Sequence, residues 1–199
     1  MRVLRLFLTL LALTWSVLAF AADDAPLKFP SPNKRFALRI TALTGDDSDQ
    51  RGLELIEKDS GKVLAKLGLV SSSHVDDTVL VWSADSKRMA YGTRTTKDGE
   101  AGIYFWNGSA FEAVSLPKNI PDPDIKFRKG AGANVKNYGG AVQPVRWLKS
   151  GALEMSNDFV LLSRVDDHSY TGTVLFTVTF DAQHHASLKT AGKTKTEID

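Results

Sequence analysis

The chain has 199 residues, with 25 Lys and Arg against 23 Asp and Glu, and no cysteine. Without cysteine there is no disulfide framework, no lipid attachment through an N-terminal Cys and no cysteine nucleophile. The near-neutral balance gives no reason to expect nucleic acid or an anionic membrane surface as a partner.

Arg2 and Arg5 precede the apolar run Leu6 to Leu18, and Ala19-Phe20-Ala21 puts small residues where a signal peptidase inspects. Residues 1–21 therefore read as a secretory signal peptide cut before Ala22. An uncleaved anchor is the alternative, although the run is short for a bilayer span. Export to the periplasm or beyond follows, with no stable membrane insertion after cleavage. The 178 residues left carry 23 basic and 23 acidic side chains. They suit a single β domain over 22–191, which would bury roughly 70% of its unfolded surface.

Ala22 to Leu27 reads as a loose leader. Phe36, Leu38, Ile40 and Ala42 then alternate with Arg39 and Thr41, the period-2 pattern of a half-buried strand over 35–43. Strands follow at 53–57 and 63–67, joined by the Asp59-Ser60-Gly61-Lys62 turn. After a serine-rich loop come strands at 78–82 and 89–94, a hairpin at Lys97-Asp98-Gly99-Glu100, and Gly102-Ile103-Tyr104-Phe105-Trp106. That last strand is apolar on both faces, as expected of one packed between two sheets. Asn107-Gly108 is a strong hairpin turn into 111–116.

Residues 117–141 break the rhythm with Pro117, Pro121 and Pro123, several glycines and the cations Lys126, Arg128, Lys129 and Lys136. Loops of this length are often functional or disordered. Strands resume at 142–147, 152–155, 159–164, 173–180 and 186–189, and 192–199 reads as a flexible tail.

A phrase recurs along this path. Trp82-Ser83-Ala84-Asp85-Ser86-Lys87-Arg88 leads into Met89-Ala90-Tyr91, and after Phe29 the phrase Ser31-Pro32-Asn33-Lys34-Arg35, with one residue fewer, leads into Phe36-Ala37-Leu38. Trp147-Leu148-Lys149-Ser150-Gly151 is a weaker copy. Each is an aromatic strand end, a polar turn and a new apolar strand, which marks a repeated supersecondary unit. With the following Asp-Gly hairpin and Ile-Tyr-x-Trp strand, it resembles a blade of the propeller repeats in the periplasmic Tol-system protein and its relatives. The resemblance implies an all-β fold of about three four-stranded antiparallel meanders, over 29–69, 77–116 and 142–190. Ala84 stands where that phrase carries Pro, and the third copy keeps neither Ser nor Pro in place. Closed propellers have four to eight blades. Three units must therefore fan open, complete a ring with a second chain, or belong to a sandwich or barrel. Open edges make a homodimer a reasonable expectation.

Chemistry-bearing residues gather in loops. His74-Val75-Asp76-Asp77 and Asp166-Asp167-His168 mirror each other, and imidazole with carboxylate is divalent-metal chemistry. The alternative is that these are turn-capping residues. His74, Asp76, Asp166 and His168 are thus candidate metal ligands, or, if they converge in one cleft, the centre of a hydrolase. His184-His185 and Asp46-Asp47-Ser48-Asp49 are weaker, the latter lacking the spaced ligands and distal Glu of an EF-hand. Ala191-Gly192-Lys193-Thr194 lacks the leading Gly and the helix of a phosphate loop, and Gly130-Ala131-Gly132 lacks the third Gly of a dinucleotide fingerprint. No cofactor is expected. Lys126, Phe127, Arg128, Lys129 and Tyr138 place cations beside aromatics that could grip an anionic or glycan partner, or simply form a solvated cover over one mouth of the domain. The expectation is an exported, non-enzymatic binding or scaffold protein with a protein partner. An exported hydrolase and a small-ligand β barrel are the alternatives.

Overall fold

The computed structural model describes residues 27–95 and 99–199. The leader expected at 1–21, the segment to residue 26 and the Lys97-Asp98 hairpin tip lie outside these residues. The described chain is all-β apart from short 3-10 turns at Gly45–Asp47, Ser72–Asp77 and Ala131–Ala133.

Three four-stranded antiparallel sheets follow one another, each a simple meander. Sheet 1 holds β1 (Leu27–Lys28), β2 (Phe36–Ala42), β3 (Gln50–Glu57) and β4 (Val63–Ser71). Sheet 2 holds β5 (Val79–Trp82), β6 (Arg88–Gly92), β7 (Ala101–Trp106) and β8 (Phe111–Val114). Sheet 3 holds β9 (Val135–Trp147), β10 (Leu153–Ser163), β11 (Ser169–Phe180) and β12 (Ala186–Ile198). Among the described residues no strand pairs with a strand of another sheet, so the barrel alternative fails. The units form an open, propeller-like fan.

Period-2 alternation assembles the fan. Leu80, Met89 and Tyr91 of sheet 2, with Trp82, Tyr104 and Trp106, meet Phe36, Leu38, Ile40, Leu53 and Leu55 of sheet 1. The intervening residues Ala90, Ile103 and Phe105, with Val81 and Ala101, meet Leu153, Met155, Phe176 and Val178 of sheet 3. Sheet 2 is therefore the buried middle layer, and the two-faced apolar strand at 102–106 is its signature. Phe36 anchors the first interface, with ring centroids 5.1 Å from both Trp106 and Phe111. Burying a side chain of this kind contributes about 1.5–3 kcal/mol.

Sheet 3 departs from the sequence expectation in three ways. The strands expected separately at 152–155 and 159–164 are one strand, β10. Ser156, Asn157 and Asp158 interrupt the apolar pattern but keep the ladder to both neighbours. β9 begins at Val135, inside the expected 117–141 loop. β12 continues to Ile198, through the expected tail, because its backbone pairs with β11 as far as Tyr170↔Ile198. Sheet 3 thus outreaches sheet 2. The segment before β9 covers the excess: Ile125 and Phe127 cluster with Tyr170, Phe159 and Leu161. A Cβ on Gly172 would lie 2.2 Å from Ile125 Cγ1, so only glycine admits this close approach.

Candidate functional site

The repeated phrase builds one turn twice. In the first unit Ser31 Oγ donates to Asn33 Oδ1 (2.8 Å), which also accepts from the Arg35 N–H (3.0 Å), while Ser31 Oγ accepts from the Phe36 N–H (3.0 Å). In the second, Ser83 Oγ donates to Asp85 Oδ1 (2.5 Å), which accepts from the Lys87 N–H (3.0 Å), and Ser83 Oγ accepts from the Arg88 N–H (2.9 Å). Lys34 and Ser86 hold the matching left-handed positions, with φ of 62° and 59°. Burial pushes the Asp85 carboxyl up, but the hydrogen bonds from Ser83 and Lys87 and the nearby Arg88 and Lys87 charges together hold it below its ordinary value. The third copy is built by backbone. Gly151 takes the left-handed place at φ 88°, and its N–H donates to Leu148 O (2.9 Å).

The Trp that opens the second and third phrases ties sheet to sheet, a role the sequence reading missed. Trp82 Nε1–H donates to Phe29 O (2.9 Å), and Trp147 Nε1–H donates to Val81 O (3.2 Å). The turns also touch: the Asn33 N–H donates to Ser86 Oγ (3.0 Å), and Arg88 donates to Gly151 O (2.9 Å) while lying over the Trp147 ring. The recurrence of Trp at the phrase start was the available signal.

Between sheets 2 and 3, beside these turns, opens a cleft of about 480 Å³. Lys87, Arg88, Trp106, Phe105, Phe180, Asp181, His184 and Lys189 line it. His184 stands at φ 65° on the β11–β12 turn, its ring 4.5 Å from that of Phe105.

The sequence-singled histidines and carboxylates fall in two separate turns with different partners. His74 Nδ1 meets Asp77 Oδ2 at 2.9 Å in the turn between sheets 1 and 2. Asp76 pairs with Lys28 at 2.6 Å, and that hydrogen bond holds its carboxyl below the usual value. Asp166 accepts from the Tyr170 hydroxyl at 2.5 Å on the β10–β11 turn, which lowers its carboxyl. His168 Nε2 lies 2.6 Å from Arg128 and its Nδ1 3.0 Å from Asp199 O. A guanidinium only donates, so Nε2 accepts and Nδ1 carries the proton. Among the described residues, no group of three or more His, Asp or Glu is placed to hold a metal ion. Asp181, on the β11–β12 turn, accepts from the His185 N–H and ring, which lower its carboxyl.

The loop candidates are anchored. The Asp124 and Lys126 N–H groups donate to Thr194 and Thr196 Oγ1 (2.7 and 3.1 Å) on β12, and Lys126 also pairs with Asp124. Phe127 packs on Tyr170, ring centroids 5.0 Å apart. Lys129 and Tyr138 are exposed. The geometry defines the class as an open, three-sheet propeller-like β protein. No described helix is long and apolar enough to cross a membrane. Compared with known proteins, the chain matches no family model, no curated protein and no solved structure.

Proposed function

We propose that the chain is an exported, non-enzymatic binding or scaffold protein whose propeller-like sheets offer an edge and an anchored basic loop to a protein partner. The turn phrase supports kinship with the Tol-type propeller repeats. The observation that carries the reading is the open fan. β12, 13 residues long, ends the order of sheet 3, leaving its outward backbone groups without a strand partner in the described chain. Such an edge is a template for added strands unless it is guarded. Beside it the 124–129 segment presents Lys126, Arg128 and Lys129 on a braced backbone. The dispersed placement of His74, Asp76, Asp166 and His168 favours binding over hydrolysis, because catalysis needs groups within mutual reach.

Ile125 and Phe127 are packing residues, so deleting the loop would disturb the fold. Charge reversal at Lys126 and Lys129 is the cleaner test. Cross-linking in the exported compartment should join the wild-type chain to one defined protein, a second copy included, and Lys126→Glu/Lys129→Glu should reduce that product several-fold at unchanged melting temperature. Light scattering identifies the second-copy case by a doubled mass. A chain that stays monomeric at high concentration and yields no cross-linked product overturns the reading.

A further inference from the structure

We propose that the cleft between sheets 2 and 3 is a binding site for a small organic anion carrying a flat apolar group. Three observations meet there. The first is an imbalance of charge. Lys87, on the β5–β6 turn, and Lys189, on β12, line the cleft from different sheets. Among the described residues, no carboxylate lies within ion-pairing distance of either ammonium. Arg88 joins them, its guanidinium fixed by Gly151 O and the Trp147 ring. The two carboxylates in the lining are turned to their own loops. Asp85 Oδ1 receives Ser83 and Lys87 N–H, and Asp181 receives Gln183, His185 N–H and the His185 ring. Three cations thus line the space against two carboxylates held by their own loops, which leaves the lining net positive.

The second observation is the apolar wall. Phe105 and Phe180 lie 5.0 Å apart by ring centroid, and the half-buried Trp106 continues the surface. Rings of this kind present flat faces to a flat ligand. The third is His184. It holds the left-handed place of the β11–β12 turn, as Lys34 and Ser86 do in theirs. It brings the imidazole onto Phe105 at the cleft's edge. A volume of about 480 Å³ lies within the range of small-molecule sites. Lysine ammoniums act as point charges toward a phosphate or carboxylate, while the ring faces take the apolar part.

Phenyl phosphate is the probe, titrated calorimetrically into the full exported chain at low salt, with the Trp106 indole resonance followed by NMR. Saturable binding is expected, with the Trp106 signal shifting. Lys87→Ala/Lys189→Ala should weaken it about tenfold or more. Benzyl alcohol, of similar shape but uncharged, should bind at least about tenfold more weakly. Lys118→Ala, in the adjoining cleft on the sheet 2 side, should leave the affinity unchanged. Both lysines are exposed, and matching melting curves establish that the variants fold; the single variants serve if the double one does not. The proposal is overturned by no saturable binding up to about 10 mM, by equal binding of benzyl alcohol, or by an equal loss in Lys118→Ala.

Discussion

The turn between the first two strands of sheets 1 and 2 is closed by side chains, and the corresponding turn of sheet 3 chiefly by backbone. Ser31 with Asn33, and Ser83 with Asp85, each satisfy two backbone N–H groups while bonding each other. In sheet 3, Ser150 offers only a long contact of 3.5 Å to the Ala152 N–H, and Gly151 supplies the left-handed residue. Yet all three turns precede strands of the same meander. The lesson is that the turn conformation is what the architecture needs, and side-chain bonds are one of two ways to reach it. The regions differ in packing as well. The first interface is centred on the buried Phe36 and Phe111 with the half-buried Trp82 and Trp106 around them, whereas the overhang of sheet 3 rests on an inserted segment.

The largest expected effect tests that packing difference. Phe36→Ala should cost about 3–5 kcal/mol, since it empties the meeting point of Trp82, Trp106 and Phe111. Ile125→Ala, in the small cluster of the overhang, should cost about 2 kcal/mol. Guanidinium unfolding measures both, and a reversed order would make the overhang the true centre of stability. Next comes the turn. Ser83→Ala should lose about 1–3 kcal/mol by stranding buried polar groups, while Ser150→Ala should lose less than about 0.5 kcal/mol. Equal losses would break the contrast between side-chain and backbone closure. Trp82→Phe and Trp147→Phe should each lose about 1 kcal/mol, the value of one indole hydrogen bond. A null result at either would remove that Trp as an inter-sheet tie.

Two smaller effects depend on pH. Burial, then the Tyr104 and Glu100 charges, push the Tyr91 hydroxyl up to about 12, and it donates to Leu67 O. The unfolded phenol ionises near 10, so this stabilisation is whole below about pH 10 and is lost as pH rises toward 12. Melting temperature should fall over that window, with a shallower fall in Tyr91→Phe. Asp85 has the opposite sign. Its carboxyl titrates below its unfolded value, so its contribution is present above about pH 4 and vanishes as pH falls through the folded value. Asp85→Asn should show a flatter acid limb than the wild type, whereas Ser150→Ala should keep the wild-type slope.

Much of sheets 1 and 2 was legible in the residues because their signals are local. Alternation marked β2, the Gly61 and Asn107-Gly108 turns fell where expected, and the two-faced 102–106 strand announced a middle layer. Sheet 3 was read less well. β12 is mostly Lys, Thr, Ala and Gly, with no apolar stripe to mark it, and takes its extended form from pairing with β11. The Ser156-Asn157-Asp158 stretch looked like a break for the same reason. The histidine clusters looked alike in sequence, but nothing local says that one lies between sheets 1 and 2 and the other on the far hairpin of sheet 3.

The amino-acid sequence by itself determined the all-β class, the repeated turn and the two-faced central strand, because hydrogen bonds and alternation of that kind act across a few residues. Only the tertiary structure decided where the strands of sheet 3 end, that residues 123–131 are folded onto their overhang, and that Lys87, Lys189 and the Phe105–Phe180 wall share one cleft. Those outcomes depend on contacts between residues far apart in the chain, and no short stretch of sequence carries them.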